Sequence, residues 1–314
     1  MATQRIIVIG GPTASGKSAI ALELARALNG VVINADSMQV YAELPILTAQ
    51  PDAAARAAAP HRLYGVLSAA EICSAVRWAD MAWAAVDDAV RQGLQPIIAG
   101  GTGLYIQALM RGLAPVPEIP PEIRAEARKL LQELGPAAFH ARLAGRDPAG
   151  AARLRPTDPQ RLARAWEVLE ATGRSLADWQ AVAGPPRTDA SFLPFVLNPN
   201  RDALYQAIDR RFAEMVQAGA LDEVRALSSM HLPAETPALK ALGVQELLSH
   251  LAGDIDLPAA IAAAQQSSRR YAKRQMTWFR NQLAAANFLS IDHVFKTSLE
   301  RILPEIFSVI RKNC

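Results

Sequence analysis

Residues 11–18 form a pattern whose chemistry can be read directly: Gly-Pro-Thr-Ala-Ser-Gly-Lys-Ser. They complete the phosphate-binding pattern G-x-x-x-x-G-K-[ST], with a β-branched run at 6–9 before it and a helix-compatible stretch at 18–28 after it. In such a loop the backbone N–H groups and the helix dipole bind an anion, Lys17 adds a positive charge, and the Ser18 hydroxyl can ligate Mg²⁺. The sequence therefore predicts that the chain binds a di- or triphosphate.

Two other short stretches place polar groups where strands are predicted to end. Asp36 and Ser37 follow the apolar run 31–34, and the turn Gly100-Gly-Thr-Gly103 follows the run 96–99. A carboxylate in that position can hold Mg²⁺, act as a general base or cap the following turn. The glycine turn is either a plain tight turn or a close approach of backbone to a ligand that presents the Thr102 hydroxyl.

The elements that must position these groups are short apolar runs separated by helical stretches. Runs at 6–9, 31–34, 96–99 and 193–197 predict buried parallel strands, and 18–28, 74–92 and 105–111 predict helices between them. This pattern is typical of an α/β fold with a doubly wound parallel sheet. Its ligand site is expected at the carboxyl ends of the strands.

The middle of the chain predicts a separate helical insertion. The proline-rich segment 115–121 and the segment Gly184-Pro-Pro-Arg187 bracket helices expected at 122–143 and 159–171, with no strand before about residue 193. We therefore divide the chain into an α/β core over 1–115, a helical insertion over 116–189, and a mostly helical second part of the core over 190–314. Helices in that last part are expected at 202–217, 220–228, 239–251 and 258–286.

The last of these helices contains a strongly basic stretch at 269–280. It has three aromatic and no acidic side chains, and its heptad spacing places Tyr271 and Trp278 on one face. This is either an ordinary solvated basic face or a surface for a polyanion, and the phosphate loop in the same chain favours the polyanion. The basic residues are Arg269, Arg270, Lys273, Arg274 and Arg280.

The composition describes an ordinary globular chain of 314 residues, 51% hydrophobic, with a net charge of +3. Its two cysteines, Cys73 and Cys314, have no metal-ligand spacing and make a disulfide framework unexpected. There is no apolar run long enough for a membrane span and no signal-like N-terminus, so we expect a cytoplasmic protein without a membrane partner.

Five motifs in order closely resemble the bacterial tRNA dimethylallyltransferases, also called the IPP transferase family. The resemblance runs from about residue 5 to about residue 285 and implies transfer of a dimethylallyl group from dimethylallyl diphosphate to the N6 amine of the adenosine 3′ of the tRNA anticodon. The motifs are Gly10-Gly-Pro-Thr-Ala-Ser-Gly-Lys-Ser18, Asn34-Ala-Asp-Ser-Met-Gln-Val-Tyr41, Gly100-Gly-Thr-Gly-Leu-Tyr105, Asp158-Pro-Gln-Arg-Leu-Ala-Arg-Ala-Trp-Glu-Val168 and Tyr271-Ala-Lys-Arg-Gln-Met-Thr-Trp-Phe279.

The resemblance also implies roles for individual residues. Asp36 matches the general base, Thr102 orients the target base, and Arg211 (or Arg210 if the register is off by one) joins Lys17 at the diphosphate. The diphosphate contacts are Gly11, Pro12, Thr13, Ala14, Ser15, Gly16, Lys17 and Ser18, with Ser18 also the ligand of a Mg²⁺ cofactor. The implied contacts to the tRNA anticodon stem-loop are Asp36, Ser37, Met38, Gln39, Thr102, Arg124, Gln160, Arg161, Leu162, Ala163, Arg164, Lys240 and Gly243.

Three positions depart from the family pattern: Gln50 replaces a lysine, Arg62 replaces a histidine, and Val244 replaces a tyrosine. The alternatives are a prenyltransferase acting on free AMP or ADP and, less favoured, a small-molecule kinase. The phosphate loop is of a type that also binds ATP, although the reaction that the resemblance implies consumes no ATP. A monomer is expected.

Overall fold

The computed structural model describes residues 4–182, 187–291 and 297–312. Within these ranges six strands form one parallel sheet in the order β3-β2-β4-β1-β5-β6. The strands are β1 (Gln4–Gly10), β2 (Gly30–Asn34), β3 (His61–Arg62), β4 (Gln95–Gly100), β5 (Ala190–Pro199) and β6 (Asn287–Ile291).

Helices connect the strands and form most of the remaining described structure. A π-helical turn, Val216–Ala220, and a 3₁₀ turn, Pro237–Lys240, lie among them. The α-helices are α1 (Lys17–Ala27), α2 (Ala53–Ala58), α3 (Ala75–Arg91), α4 (Gly103–Arg111), α5 (Pro121–Arg146), α6 (Pro148–Ala151), α7 (Pro159–Thr172), α8 (Leu176–Ala181), α9 (Arg201–Met215), α10 (Leu221–Ser229), α11 (Val244–Leu251), α12 (Leu257–Gln282) and α13 (Thr297–Lys312).

Both faces of the sheet are covered, which confirms the doubly wound parallel arrangement. Alternate residues of β1 enter different cores: Ile6 and Val8 pack with α3, α4 and α12 on one face, whereas Ile7 and Ile9 pack with α1 and α13 on the other. Because side chains alternate along a strand, a strand buried on both sides must be apolar throughout. The uninterrupted β-branched runs in the sequence have this cause.

The chain separates into two compact units. One contains Met1–Met110 and Thr188–Cys314, and the other contains Arg111–Arg187. The second unit has its own core of Phe139, Leu143, Leu162 and Trp166, and its long helix α5 is interrupted at Gly135. The sequence placed the boundaries at 116 and 189. Residues 184–186 of the expected proline-marked hinge, and Cys314, lie outside the described residues.

Two predicted helices in the last third of the chain have other bounds in the structure, and several elements were not predicted. The helix predicted over 239–251 is wrong as a single element, since a 3₁₀ turn ends at Lys240 and α11 begins only after Gly243, whose φ is +91°. The helix predicted to reach residue 286 ends at Gln282. Strands β3 and β6 and helices α2, α6, α8 and α13 were not predicted. In the described residues, no helix is both long and apolar enough to cross a bilayer.

Candidate active site

The phosphate-binding loop lies between the end of β1 and the first turn of α1. Gly16 precedes the helix in a left-handed conformation and has no side chain with which to cap it. The first N–H groups of a helix lack intrahelical acceptors, so this end is open to an anion. Lys17 folds back over the loop, where its Nζ donates to the Pro12 carbonyl at 3.1 Å. Ser18 is exposed beside it.

The loop after β2 is fixed by a network centred on the fully buried Asn34. Its amide donates to the carbonyls of Asp36 and Leu63, both at 3.0 Å, and its side-chain oxygen accepts from the Asp36 N–H at 2.7 Å. The indole of Trp78 donates to the Asn34 carbonyl at 3.0 Å. The half-buried Asp36 carboxylate accepts from the Met38 N–H at 3.1 Å. This backbone network fixes where the carboxylate lies.

Thr102 joins the loop after β4 to the loop after β2. Its Oγ1 accepts a hydrogen bond from the Ser37 N–H at 2.9 Å and donates to Ser37 Oγ at 3.2 Å, while the Thr102 N–H donates to the Ala35 carbonyl at 3.1 Å. A Cβ on Gly100 would lie 2.1 Å from the carbonyl carbon of Ala35. The two loops therefore meet through backbone contact that only glycine permits at this position.

The glycine turn also receives helix α12. A Cβ on Gly103 would lie 2.3 Å from the ring of Trp278, and one on Gly101 would lie 2.2 Å from Nε2 of Gln275. The glycines of this turn are therefore required by packing against the β2 loop and α12. The turn does more than reverse the chain, because it also presents Thr102 to the loop that carries Asp36.

Three charged groups share one electrostatic environment at the carboxyl ends of β1 and β2. Burial lowers the pKa of Lys17 to about 8, an effect that the Asp36 carboxylate opposes and Arg211 reinforces. Burial likewise lowers the pKa of Arg211, again opposed by Asp36. Arg210, the alternative in the sequence, is exposed and lies 3.8 Å from Glu214. Arg211 is thus the cation that faces the loop.

Gln275 is the residue at this site that sequence reasoning missed. It is 5% exposed, and its Oε1 accepts from the Thr13 N–H at 2.9 Å while its Nε2 donates to the Gly101 carbonyl at 2.8 Å. The Tyr271 phenol, one helical turn away, interacts with Gln275 and Thr102. The Thr13 N–H, expected to face the diphosphate, is therefore already paired. One feature of the sequence could have indicated Gln275: it is a glutamine within the basic stretch, and it lies on the same face of α12 as Tyr271 and Trp278.

The other residues of this unit that were predicted to contact tRNA differ in their exposure and in their distance from Asp36. Ser37 and Met38 lie beside Asp36, but Gln39 is buried and donates to the Thr48 and Ala49 carbonyls at 2.8 and 2.9 Å. Gly243 packs on Phe212, where a Cβ would approach the ring to 2.5 Å, and Lys240 is exposed.

The predicted contacts in the insertion divide into surface and core. Gln160 and Arg161 are exposed on α7, with Arg161 3.3 Å from Asp158, and Arg164 lies 3.4 Å from Glu167. Arg124 is half-buried, and its Nε has no hydrogen-bond partner among the described residues. The side chain of Leu162 lies in the core of this unit and is fully buried, so it is not available to RNA, whereas Ala163 lies outside that core and is 8% exposed.

The three residues that depart from the family pattern make contacts within the protein itself. Gln50 donates to the Tyr41 carbonyl at 2.8 Å, Arg62 lies 3.3 Å from Asp88, and Val244 is fully buried. None of these interactions involves the phosphate loop or Asp36.

The site contains oxygen donors for a metal but no metal cage. In the described part of the chain there is no group of three or more His, Cys, Asp or Glu side chains that could hold an ion. Mg²⁺ bound to a diphosphate takes one or two protein oxygens and fills its shell with phosphate oxygens and water. The Ser18 hydroxyl at the first turn of α1 fits that requirement.

Comparison with known proteins gives a consistent result. A model of the IPP transferase family matches residues 39–282. The tRNA dimethylallyltransferase of Rhodospirillum centenum is 55% identical over 287 residues, which cover 91% of each chain. That of Paramagnetospirillum magneticum is 54% identical, over 98% of this chain and 96% of its own.

Solved structures agree over most of the chain. A tRNA isopentenylpyrophosphate transferase from Bacillus halodurans superposes with a TM-score of 0.70 at 32% identity, covering 98% of this chain and 97% of its own. A eukaryotic dimethylallyltransferase acting on tRNA gives a TM-score of 0.77 at 28% identity, covering 92% of this chain and 74% of its own.

Proposed function

The chain belongs to the IPP transferase family, and from this premise we propose how its site transfers a dimethylallyl group from dimethylallyl diphosphate to a tRNA adenosine. That it is a prenyltransferase of tRNA follows from its relatives. The target amine, its position in tRNA and the residue roles are our proposal. The observation that supports them best is the electrostatic cluster of Lys17, Asp36 and Arg211 beside the open end of α1.

The phosphate loop binds the diphosphate of the donor. The N–H groups at the start of α1 donate to its oxygens, and Lys17 and Arg211 balance the charge that develops as the C–O bond breaks. Both cations are preorganised by burial, so they need little rearrangement at the moment of reaction. Mg²⁺ held by Ser18 and the diphosphate would supply further neutralisation of that charge.

Asp36 receives the proton that the acceptor loses. The N6 amine of adenine is a weak nucleophile because its lone pair is delocalised into the ring. As the new C–N bond forms at the carbon released by diphosphate, one N6 proton passes to the Asp36 carboxylate, and the C–O electron pair leaves with diphosphate. Thr102 positions Asp36 indirectly, since it fixes the backbone of Ser37, and its hydroxyl also lies where it can orient the base.

The acceptor base must leave its stack to reach a carboxylate set between two strand ends, as in other enzymes that modify bases. Anticodon-loop nucleotides are already partly unstacked, which lowers that cost. We assign the Arg111–Arg187 unit to tRNA binding through its exposed Gln160 and Arg161, with Arg164 and Arg124 in support. A cytoplasmic monomer is the form in which we expect the protein to meet tRNA.

The test is direct identification of the prenylated acceptor. The purified protein is incubated with Mg²⁺, dimethylallyl diphosphate and unmodified tRNA that carries adenosines at and beside the third anticodon position, with AMP in a parallel reaction. We expect one dimethylallyl mass on the adenosine 3′ of the anticodon after digestion. If AMP is prenylated and tRNA is not, the acceptor is a free adenylate. If another adenosine of the tRNA is prenylated, the proposed position of the target is wrong.

A further inference from the structure

Residues 44–50 form a turn soon after the segment that carries Asp36, and we call it the 44–50 turn. Its backbone closes on itself, since the Ala49 N–H donates to the Ile46 carbonyl at 2.9 Å. Ala49 has a φ of +51°, in the left-handed region that is unfavourable for a residue with a Cβ. Strain of this kind persists only where the surrounding contacts hold it in place. Side chains from outside the turn must therefore fix it.

The buried side chain of Gln39 holds one part of this turn. It is 9% exposed, and its Nε2 donates to the carbonyls of Thr48 and Ala49 at 2.8 and 2.9 Å. Both N–H bonds of the amide are used, and one of them ends on the carbonyl of the strained residue. Because Gln39 lies three residues after Asp36, a shift of the turn is transmitted to the segment that carries the carboxylate.

The carboxylate of Glu223, on α10, holds the other part of the turn. Its Oε1 accepts from the Ile46 N–H at 2.6 Å, and its Oε2 accepts from the Leu47 N–H at 2.9 Å. Burial raises the pKa of this carboxyl, and the two N–H donors oppose that effect. Hydrogen bonds to an ionised carboxylate are stronger than those between neutral groups. Glu223 is therefore a firm anchor for two successive peptide groups.

A kink between α9 and α10 allows this contact. The π-helical turn Val216–Ala220 joins the two helices, and Gly219 within it has a φ of +108°. A Cβ on Gly219 would lie 3.6 Å from Cδ1 of Ile46, so the kink itself packs beside the turn. Before the kink the chain carries Arg211, which faces the phosphate loop. After the kink it carries Glu223 in the first turn of α10.

We propose that Glu223 and Gln39 are positioning residues for Asp36. Glu223 binds the N–H groups of residues 46 and 47, and Gln39 binds the carbonyls of residues 48 and 49. The turn that they hold in common fixes the segment that carries the carboxylate. The amide N–H groups of Gln39 are thus used inside the protein, and Gln39 acts on the acceptor side without touching RNA. This inference rests on the proposed function, because it takes Asp36 as the base.

The experiment compares three variants of the full chain: Glu223→Ala, Gln39→Met, and both substitutions together. Glu223→Gln, which keeps one acceptor oxygen, is the milder variant should alanine not fold. Each protein is assayed for the single-turnover rate of transfer at saturating tRNA and dimethylallyl diphosphate, the KM for the diphosphate donor, and the melting temperature. Hydrogen exchange of the segments 35–50 and 11–18, measured by mass spectrometry without substrate, gives a readout that is independent of the reaction.

The matched controls are Glu246→Ala and Gln265→Met. Glu246 is a half-buried carboxylate that accepts from Ser267 Oγ at 2.7 Å, and Gln265 is an amide that donates to the Asp209 carbonyl at 2.9 Å. Neither of these hydrogen bonds involves the 44–50 turn. The controls should lower the melting temperature without slowing the transfer step.

We expect each single variant to slow the single turnover about tenfold and to leave the donor KM within about twofold, because the base is displaced while the phosphate loop is intact. Exchange should become faster in 35–50 and stay unchanged in 11–18. The double variant should be much less than a hundredfold slower, since both side chains act through the same turn. Glu223→Gln should have a rate between those of the unmodified protein and Glu223→Ala.

Four results would overturn the proposal: transfer rates equal to those of the controls, faster exchange in 35–50 with an unchanged rate, a change confined to the donor KM, or fully multiplicative effects in the double variant. Failure of the proposed function is distinguishable from these. If the unmodified protein transfers nothing to tRNA, the function fails, and hydrogen exchange still reports whether the two side chains hold the segment. If it prenylates tRNA and the variants do so at its rate, only the positioning role fails.

Discussion

The side-chain oxygen of Gln275 accepts a hydrogen bond from the backbone N–H of Thr13 over 2.9 Å, although the two residues are 262 positions apart in the chain. The amide nitrogen of the same side chain donates to the Gly101 carbonyl at 2.8 Å. One buried amide therefore joins the phosphate loop after β1 to the glycine turn after β4. Helix α12 thus connects the loop that we propose to bind the diphosphate with the turn that presents Thr102.

Replacing Gln275 should loosen the phosphate loop. Gln275→Met removes both hydrogen bonds, each worth about 1 kcal/mol, so we expect the KM for dimethylallyl diphosphate to rise about tenfold or more. Gln275→Glu keeps an acceptor for the Thr13 N–H but removes the donor to the Gly101 carbonyl. It also places a carboxylate near the diphosphate, so the KM for dimethylallyl diphosphate should stay high in this variant. Steady-state kinetics with each substrate varied in turn measure the effect.

The matched control is Gln265→Met on the same helix. Gln265 donates to the Asp209 carbonyl at 2.9 Å, which lies on α9 and in neither loop. The substitution should lower the melting temperature without changing the donor KM. Equal values of the KM for dimethylallyl diphosphate in the Gln275 and Gln265 variants would show that the hydrogen bonds of Gln275 do not position the phosphate loop.

Donor binding should depend on pH through Lys17. Because burial lowers the pKa of Lys17 to about 8, the free protein loses this positive charge above that pH. The Kd for dimethylallyl diphosphate should therefore be constant below pH 8 and rise by up to about tenfold per pH unit above it. Titration by calorimetry between pH 7 and pH 9.5 measures this, and a flat profile would contradict it.

Lys17 also has a predicted effect on stability. The unfolded chain holds its lysine proton up to about pH 10.5, whereas the folded chain loses it near pH 8. Between these values the unfolded state binds more protons, so the free energy of unfolding contributed by this group rises with pH. Lys17→Met should abolish that rise in denaturation experiments without ligand, and an unchanged slope would argue against burial as the cause.

Thr102 should act by fixing the loop that carries Asp36. Thr102→Val keeps the shape of the side chain but lacks the hydrogen bonds to the Ser37 N–H and Oγ. We expect kcat to fall about tenfold with little change in the donor KM, because the base is misplaced while the diphosphate site is intact. Thr102→Ser should retain most of kcat. A valine variant with normal kcat would show that the hydroxyl has no role in positioning.

The Mg²⁺ assignment predicts a defect at Ser18 that added metal can offset. Ser18→Ala should raise the Mg²⁺ concentration needed for half-maximal activity severalfold, whereas Ser18→Thr should preserve it, because threonine keeps the hydroxyl. Activity measured over a Mg²⁺ series after treatment with a chelator tests this. If the unmodified protein and both Ser18 variants need the same Mg²⁺ concentration, Ser18 is not a ligand of the metal.

The sheet could be predicted because its central strands carry a strong local signal. The runs in β1, β2, β4 and β5 are short and apolar since each strand is covered on both faces. Strand β3 has only two residues and β6 has only two buried positions, so neither carries enough pattern. The break at Gly243 was missed because the apolar spacing continues across it.

The candidate site was predictable where a motif is contiguous and not where it depends on packing. Lys17, Asp36 and Thr102 each follow a strand, so parallel topology alone brings them to one edge. Gln275 has partners 262 and 174 positions away, and no local pattern indicates them. Burial of Gln39 was likewise invisible, since it depends on which face of the loop is covered.

The most direct test of the central claim is the rate of a single turnover with Asp36→Asn. Asparagine keeps the size of the side chain and an oxygen for the Met38 N–H, but it cannot take the proton from N6. With saturating tRNA and dimethylallyl diphosphate bound, rapid-quench measurement should show transfer slowed by about 10²–10⁴-fold while both substrates bind normally. Transfer at the rate of the unmodified protein would contradict the assignment of Asp36 as the base.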